Sequence, residues 1–256
     1  MVTTVIRFMP KVSNNDIRMS SSSRLPAVAP ARWPPLHRGE TMAHMSDPFA
    51  RLDDVIEIET RHLFLTGWRR EDAEAWAAIN ADEKAREFIG ETISAERAAR
   101  EVAMFQADLV ERGFGLWAAR LKYSLRDRGE IVLKARDLVG FVGATPAPQP
   151  DGKPAVYEGQ EIEWQLAWCL DRRVWGMGLA TEAASKVRDY LLGVERLDVI
   201  GGFAASANGA SLRVMEKIGL KDTGIHYADA SVAGGGGDDA VVRALTREQW
   251  RKMLEV

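Results

Sequence analysis

The stretch "DRRVWGMGLATEAA", Asp171 to Ala184, places Gly176 and Gly178 between an apolar run that reads as a strand, "WQLAWCL", and a segment that reads as a helix. A helix starting near Gly178 leaves its first-turn N–H groups without partners. Those groups and the positive end of the helix dipole form an anion site. Glycines at 176 and 178 take away the Cβ atoms that would keep a diphosphate from the main chain. A dinucleotide turn would read G-x-G-x-x-G, but here Thr181 holds the third position and the motif follows several antiparallel-looking strands. On the glycines alone, a strand–helix turn with no ligand is also open.

The strand before the turn has its own pattern. Over "EIEWQLAWCL" (161–170), Ile162, Trp164, Leu166, Trp168 and Leu170 share one face, and Glu161, Glu163, Gln165, Ala167 and Cys169 the other. The first face is core and the second carries polar groups toward a cleft. Cys169 has no histidine nearby in sequence and reads as packing rather than as a nucleophile. The tryptophans 164, 168 and 175 read as core and pocket wall.

These residues need a scaffold, and the surrounding pattern is α/β. "IEIETRHLFLTGW" alternates like a strand pair with a break, and "EDAEAWAAINA" reads as a short helix. Ser94 caps a helix running to Gly113, with Ala98, Val102, Phe105 and Leu109 in line. Strands are expected at 114–123, 137–145 and 161–170, then a helix from Ala180 to Leu192 stopped by Gly193. "LDVIGGFAA" reads as a strand, and "NGASLRVMEKIG" as a helix capped by Asn208 and stopped by Gly219. "KDTGIHYA" and "DAVVRAL" close the sheet, and "TREQWRKMLE" is a terminal helix. The Pro-rich "ATPAPQPDGKPAVYEG" and the Gly234–Gly237 loop are either cleft walls that shape acceptor choice or plain solvent loops.

Composition bounds the classes. The chain has 256 residues, 46% of them apolar and 28% charged, the mix of a globular protein able to bury a core. No apolar stretch approaches the ~20 residues of a membrane helix, so no membrane partner is expected. Residues 1–45 carry six Lys/Arg against two Asp/Glu, which leaves the rest of a chain of net charge −3 at −7. An acidic body argues against nucleic acid as partner. One cysteine and four histidines leave no metal cluster to build and suit a reducing cytoplasm, the expected location. Residues 1–45, Ser- and Pro-punctuated and without period, read as a disordered extension, and 46–256 as the folded domain.

Beyond the glycines, Arg173-Val-Trp-Gly176-Met-Gly178-Leu-Ala180 resembles the R/Q-x-x-G-x-G/A acyl-CoA motif of the GNAT N-acetyltransferases. The run from Asn208 through Ser211 and Lys217 to Gly219 is similar to the N-x-x-S-x-x-x-x-x-K-x-G-F segment of that superfamily. "WGMGLATEA", with N-x-x-S and the closing "ALTREQW", is most similar to the branch of ribosomal-protein N-acetyltransferases. The likeness spans roughly residues 57–255 in element order. It implies an α/β (α+β) fold: a mixed, mostly antiparallel twisted sheet splayed in the middle, with helices on both faces. Acetyl-CoA is then the implied cosubstrate, with no metal. Pantetheine would lie against the main chain of Trp168, Cys169 and Leu170, and Arg173 would belong to the binding motif. The diphosphate would rest on the amides of Trp175, Gly176, Met177, Gly178, Leu179 and Ala180, with Asn208 bordering the thioester.

The implied reaction is transfer of acetyl to a primary amine, a protein N-terminus or a small molecule, by direct attack in a ternary complex. The same resemblance leaves open a degenerate acyl-CoA-binding or regulatory module. The family commonly carries a glutamate where this chain has Gln165, and many relatives a tyrosine where it has Met215. Glu163, two residues before Gln165, and Ser211 are therefore the expected base and acid, with Tyr190 and Tyr227 as fallback acids. A lysine amine is neutral about once in 2,500 molecules at pH 7 and an N-terminal amine more than about one time in ten, so an α-amine acceptor needs the less help. The chain is expected to act as monomer or homodimer.

Overall fold

The structure is a computed structural model that describes residues 5–6, 47–150, 152–228 and 239–255. The expected extension 1–45 thus lies almost wholly outside the described residues, as does the Gly234–Gly237 loop. Nine strands form the main sheet: β1 Val5–Ile6, β2 Glu57–Glu59, β3 Leu63–Thr66, β4 Leu116–Leu121, β5 Leu138–Pro146, β6 Trp164–Leu170, β7 Val199–Ala205, β8 Lys221–Tyr227 and β9 Ala240–Thr246. Their order is β1-β2-β3-β4-β5-β6-β7-β9-β8, with β1–β2 and β6–β7 parallel and every other neighbour antiparallel. Six helices accompany them: α1 Asp72–Asn80, α2 Glu83–Arg86, α3 Ala95–Arg112, α4 Leu179–Gly193, α5 Gly209–Lys217 and α6 Arg247–Leu254.

Alternation along the central strands sends side chains to two helical layers. Phe141 of β5 meets Trp76 of α1 and Phe105 of α3, with ring centroids 5.4 and 5.7 Å apart. On the other face, Trp117 of β4 sits edge-on to Tyr190 of α4 at 5.8 Å. The amphipathic α3 buries Ala98, Val102, Phe105 and Leu109, its N-terminus capped by Ser94 Oγ, which accepts from Arg97 N. It ends at Gly113, whose φ of +79° favours glycine. Between α1 and β4, the buried Asp72 accepts from Arg120 Nη2 at 2.5 Å and from Arg69 N at 2.7 Å.

The feature that makes a site is the join of β6 to β7. β6 pairs with β5 over all seven residues, from Trp164↔Pro146 to Leu170↔Gly140. With β7 it shares one register pair, Gln165↔Gly201. Past that point the two strands diverge, so the edge of β6 from Leu166 to Leu170 has no neighbouring strand on the β7 side. The expected splay is present.

The structure departs from the sequence pattern at two points. Gly193 is the last residue of α4 rather than its stop; a Cβ there would lie 2.9 Å from Trp250, so close packing requires the glycine. The short helix α2 had no counterpart in the sequence pattern. At the end of the Pro-rich segment Val156–Tyr157 and Gln160–Glu161 pair as a hairpin, and Ala147 and Ala155 pack on Ile162, Val199 and Phe203 around the closed end of the β6–β7 pair.

One polar cluster fixes the start of α4 to the corner between β2 and β3. Glu182 accepts from the Thr60 hydroxyl, from His62 N at 2.7 Å and from His62 Nδ1 at 2.6 Å. Burial pushes its carboxyl up, but the hydrogen bonds from His62 and Thr60 outweigh that and hold it below the usual carboxylate range. This stabilisation is complete above the ordinary glutamate value of about 4.3 and is lost as the pH falls through the lower folded value. Glu182→Gln is therefore expected to cost roughly 1–3 kcal/mol at pH 7, read as a lower urea midpoint. The gap to the parent should shrink as the pH falls from 5 to 3; a gap independent of pH would contradict the assignment.

Candidate active site

The turn after β6 is built by its own capping chemistry. Asp171 is buried, and its Oδ1 accepts from Arg173 N at 2.8 Å, starting a single 3-10 turn over Arg172–Val174. Trp175 N closes that turn on Arg172 O, and Trp175 Nε1 donates to Leu170 O at 2.8 Å, pinning the indole to the end of β6. The chain then passes through Gly176 at φ +75° and Gly178 at φ +79°, both in the left-handed region. A Cβ built on either would meet nothing within 4 Å. The glycines therefore serve the backbone path, and they leave the space before it open.

That path strands a row of donors. The N–H groups of Gly176, Met177, Gly178, Leu179, Ala180 and Thr181 have no acceptor among the described residues; the next, Glu182 N, bonds to Gly178 O. The row is shifted one residue from the expected 175–180, because Trp175 N is consumed by the turn. Six unpaired main-chain N–H groups at the N-terminus of a fifteen-residue helix suit an anion.

The donors open on a cavity of ≈ 720 Å³ between the diverging strands, within the size range of small-molecule sites. Trp168, Cys169 and Leu170 form one wall, and the turn and first residues of α4 form the floor. Asn208 and Ser211 stand on the opposite wall. Asn208 caps α5, its Oδ1 accepting from Ser211 N at 3.1 Å. The Asn208 amide N–H₂ and the Ser211 hydroxyl have no partner among the described residues.

Not every expected residue is brought here. Arg173 lies outside the cavity, its guanidinium forked onto Asp171 at 2.5–3.1 Å, so it fixes the turn. Met177 is 50% exposed and is not among the residues that line the cavity. Glu163 is exposed and precedes the Gln165↔Gly201 pair, at the closed end of the splay, whereas the cavity opens past the other end. Met215 is buried in the core against the position of Gly202. Tyr190 is buried with its hydroxyl on Glu195, and burial first, then Glu195, pushes its ionisation far up. Tyr227 stacks on Phe203 at 6.4 Å, also outside the cavity. The Cys169 thiol is buried and pushed up to about 12 by burial, so it stays protonated and is no nucleophile.

Other cavity residues were not anticipated. α2 and the loop after it contribute Lys84, Glu87, Phe88 and Ile89, with Lys84 Nζ on Glu87 at 2.6 Å. Asp82 caps α2 through Lys84 N and Ala85 N and also accepts from Arg172 Nε at 2.6 Å, so this wall is tied to the donor turn. Beneath it the buried Arg86 donates to Asn80 Oδ1 and Glu91 O, holding the loop in shape. The Asp at the cap was the readable signal for α2. From α5, Arg213, Val214 and Lys217 join Ala210 on the cavity wall, the i, i+3, i+4, i+7 spacing of one helical face.

The family described as "Acetyltransferase (GNAT) domain" matches residues 62–221. Among solved structures, the fold is similar to a GNAT-family acetyltransferase from Bacillus anthracis, at 21% identity and TM-score 0.55, covering 75% of this chain and 99% of that one. It is also similar to a ribosomal-protein-S5-alanine acetyltransferase from Vibrio fischeri, at 14% and 0.54, covering 76% and 98%. A third is the Microcin C7 self immunity acetyltransferase MccE, solved with acetyl-CoA and AMP, at 10% and 0.53, covering 73% and 93%. With the family matching well over half the chain, and a splayed sheet opening on a row of free main-chain donors, this protein belongs to the GNAT acetyltransferases, whose activity is acetyl-CoA-dependent acetyl transfer.

Proposed function

We propose that the protein is an N-acetyltransferase that passes the acetyl group directly to a primary α-amine, of a protein N-terminus or a small molecule, held with acetyl-CoA in one complex. The observation that carries this is the unpaired N–H row from Gly176 to Thr181 facing the cavity beside the open edge of β6. The row would bind the coenzyme's diphosphate, and the edge from Trp168 to Leu170 would pair with its amide-bearing arm. The bound coenzyme supplies a thioester whose carbonyl carbon an amine can attack. Main-chain N–H groups at the divergence would face the oxygen on which charge develops.

The acid–base inventory favours an α-amine. Among the described residues the one carboxylate lining the cavity is Glu87, and it is engaged by Lys84. Gln165 cannot take a proton, and Glu163 is remote. A substantially neutral acceptor needs no protein base in order to attack; as the C–N bond forms and the C–S bond breaks, the proton its nitrogen sheds refills the hydroxyl that protonates the departing sulfur. Ser211, with its hydroxyl unpartnered on the cavity wall, is the proposed donor to the departing thiolate, and Asn208 orients that end of α5. The likeness to the ribosomal-protein-S5-alanine acetyltransferase, whose name specifies an alanine acceptor, fits this class.

Gly178→Ala is expected to cost roughly 1–2 kcal/mol of stability through the left-handed φ and to weaken CoA binding by about tenfold, one charge-assisted hydrogen bond. Isothermal titration with unchanged CoA affinity would contradict the reading. In a thiol-release assay, an N-terminal-amine peptide should be acetylated with kcat/KM rising through a midpoint near about pH 8, the amine's own titration, to a plateau about one unit higher, while a peptide blocked at its N-terminus and offering lysine reacts far more slowly. Ser211→Ala should lower kcat with little change in CoA affinity. Tight CoA binding without thiol release on any amine would favour a binding module that has lost turnover.

A further inference from the structure

The cavity wall built by α2 and the loop after it hydrogen-bonds mostly to itself. Asp82 caps Lys84 N and Ala85 N, Arg86 N reaches Asp82 O, and Ile89 N and Gly90 N reach Arg86 O. The Arg86 side chain donates to Glu91 O and, at the end of α1, to Asn80 Oδ1. Lys84 and Glu87 pair with each other. Among the described residues, one hydrogen bond ties this unit to anything beyond α1: Arg172 Nε donates to Asp82 Oδ2 at 2.6 Å. A helix of four residues has little stability of its own, and Phe88 and Ile89, which line the cavity, are only half-buried. The set of this wall therefore depends on what Arg172 does.

Arg172 belongs to the donor turn by its main chain. Its carbonyl accepts from Trp175 N at 3.1 Å and closes the 3-10 turn that leads into Gly176. Its side chain, ninety residues away in sequence from its partner, is the first of the influences that hold the Asp82 carboxyl below the usual range. An anion gripped by the row from Gly176 to Thr181 would steady this turn, and with it the angle at which Arg172 meets Asp82. On the reading of the cavity as a coenzyme A site, we propose that Arg172 is a positioning residue that passes occupancy of the donor row to the opposite wall. With coenzyme bound, α2 and its loop are held in place to receive the acceptor; without it, they open more often. Coupling of this kind is reciprocal, so a molecule held by the wall also tightens the coenzyme. The two side chains are 60% and 28% exposed, which keeps the coupling modest, about two- to fivefold.

The test is amide hydrogen exchange of the full chain with and without CoA, at saturation established by calorimetric titration. It is read over 83–91, where the amides of Arg86, Ile89 and Gly90 bond within the unit, and over 176–181. In the parent, CoA should slow exchange in both segments, by about two- to fivefold at 83–91. Arg172→Gln should bind CoA within about twofold of the parent and keep the slowing at 176–181 while losing it at 83–91. Asp82→Asn, which retains a side-chain cap for α2, should do the same. Exchange over 83–91 that ignores CoA in the parent, or slowing there that survives in both variants, overturns the coupling while leaving the coenzyme site standing. Loss of slowing in both segments of Arg172→Gln makes the residue a brace of the turn alone and overturns the coupling as well. Failure of the parent to bind CoA overturns both the coupling and the coenzyme site.

Discussion

Everything about this site follows from main-chain hydrogen bonds that the fold leaves unmade. Main-chain donors in a folded protein are mostly paired, and among the described residues the nine-stranded sheet and the capped helices pair many of them. At the N-terminus of α4 a row of them has no acceptor among the described residues. β6 and β7 meet at a single register pair and part, and where they part the chain turns through two left-handed glycines into α4 with six N–H groups facing open space. Each feature depends on the other. Were the strands to continue in parallel, β7 would cover the edge of β6 and close the cavity. Were the turn to run through ordinary backbone angles, the donors would not converge.

The supporting parts hold this arrangement in place. Asp171, forked by Arg173, shapes the turn from below, and the Trp175 indole ties it to the last carbonyl of β6. Glu182, held by Thr60 and His62, fixes the first turn of α4 to the β2–β3 corner. Arg172 joins the turn to the cap of α2, so the wall bearing Phe88 and Ile89 is positioned by the same few residues that position the donors. An acceptor held by that wall would be presented to the thioester by the element that grips its carrier. Binding energy spent on orientation of this kind is a main source of rate in group transfer.

The strand–turn–helix junction was legible because its signals are local: glycines at fixed spacing, a period of two before them and 3.6 after. The caps at Ser94, Asn208 and Gly113 were legible for the same reason. What sequence could not supply was depth along the splay. Glu163 shares a face with Cys169 on paper, yet the strands diverge only after Gln165, so one residue lies at the closed end and the other in the cavity. Arg173 carried a motif position, but Asp171 two residues away captures it. α2 is too short for a periodic signal, and its role depends on a contact with Arg172 ninety residues on. Lys217 was visible as a motif letter and Arg213 not at all, since only the helix's orientation shows that they share the cavity's face.

The central claim is that main chain, rather than side chains, grips the coenzyme's paired phosphates. Amide hydrogen exchange over the peptide spanning 176–181, with and without saturating CoA, tests it most directly. Unpaired amides exchange readily, so CoA should slow exchange there by a larger factor than in the rest of α4. Saturation with CoA that leaves exchange across 176–181 unchanged would contradict the account.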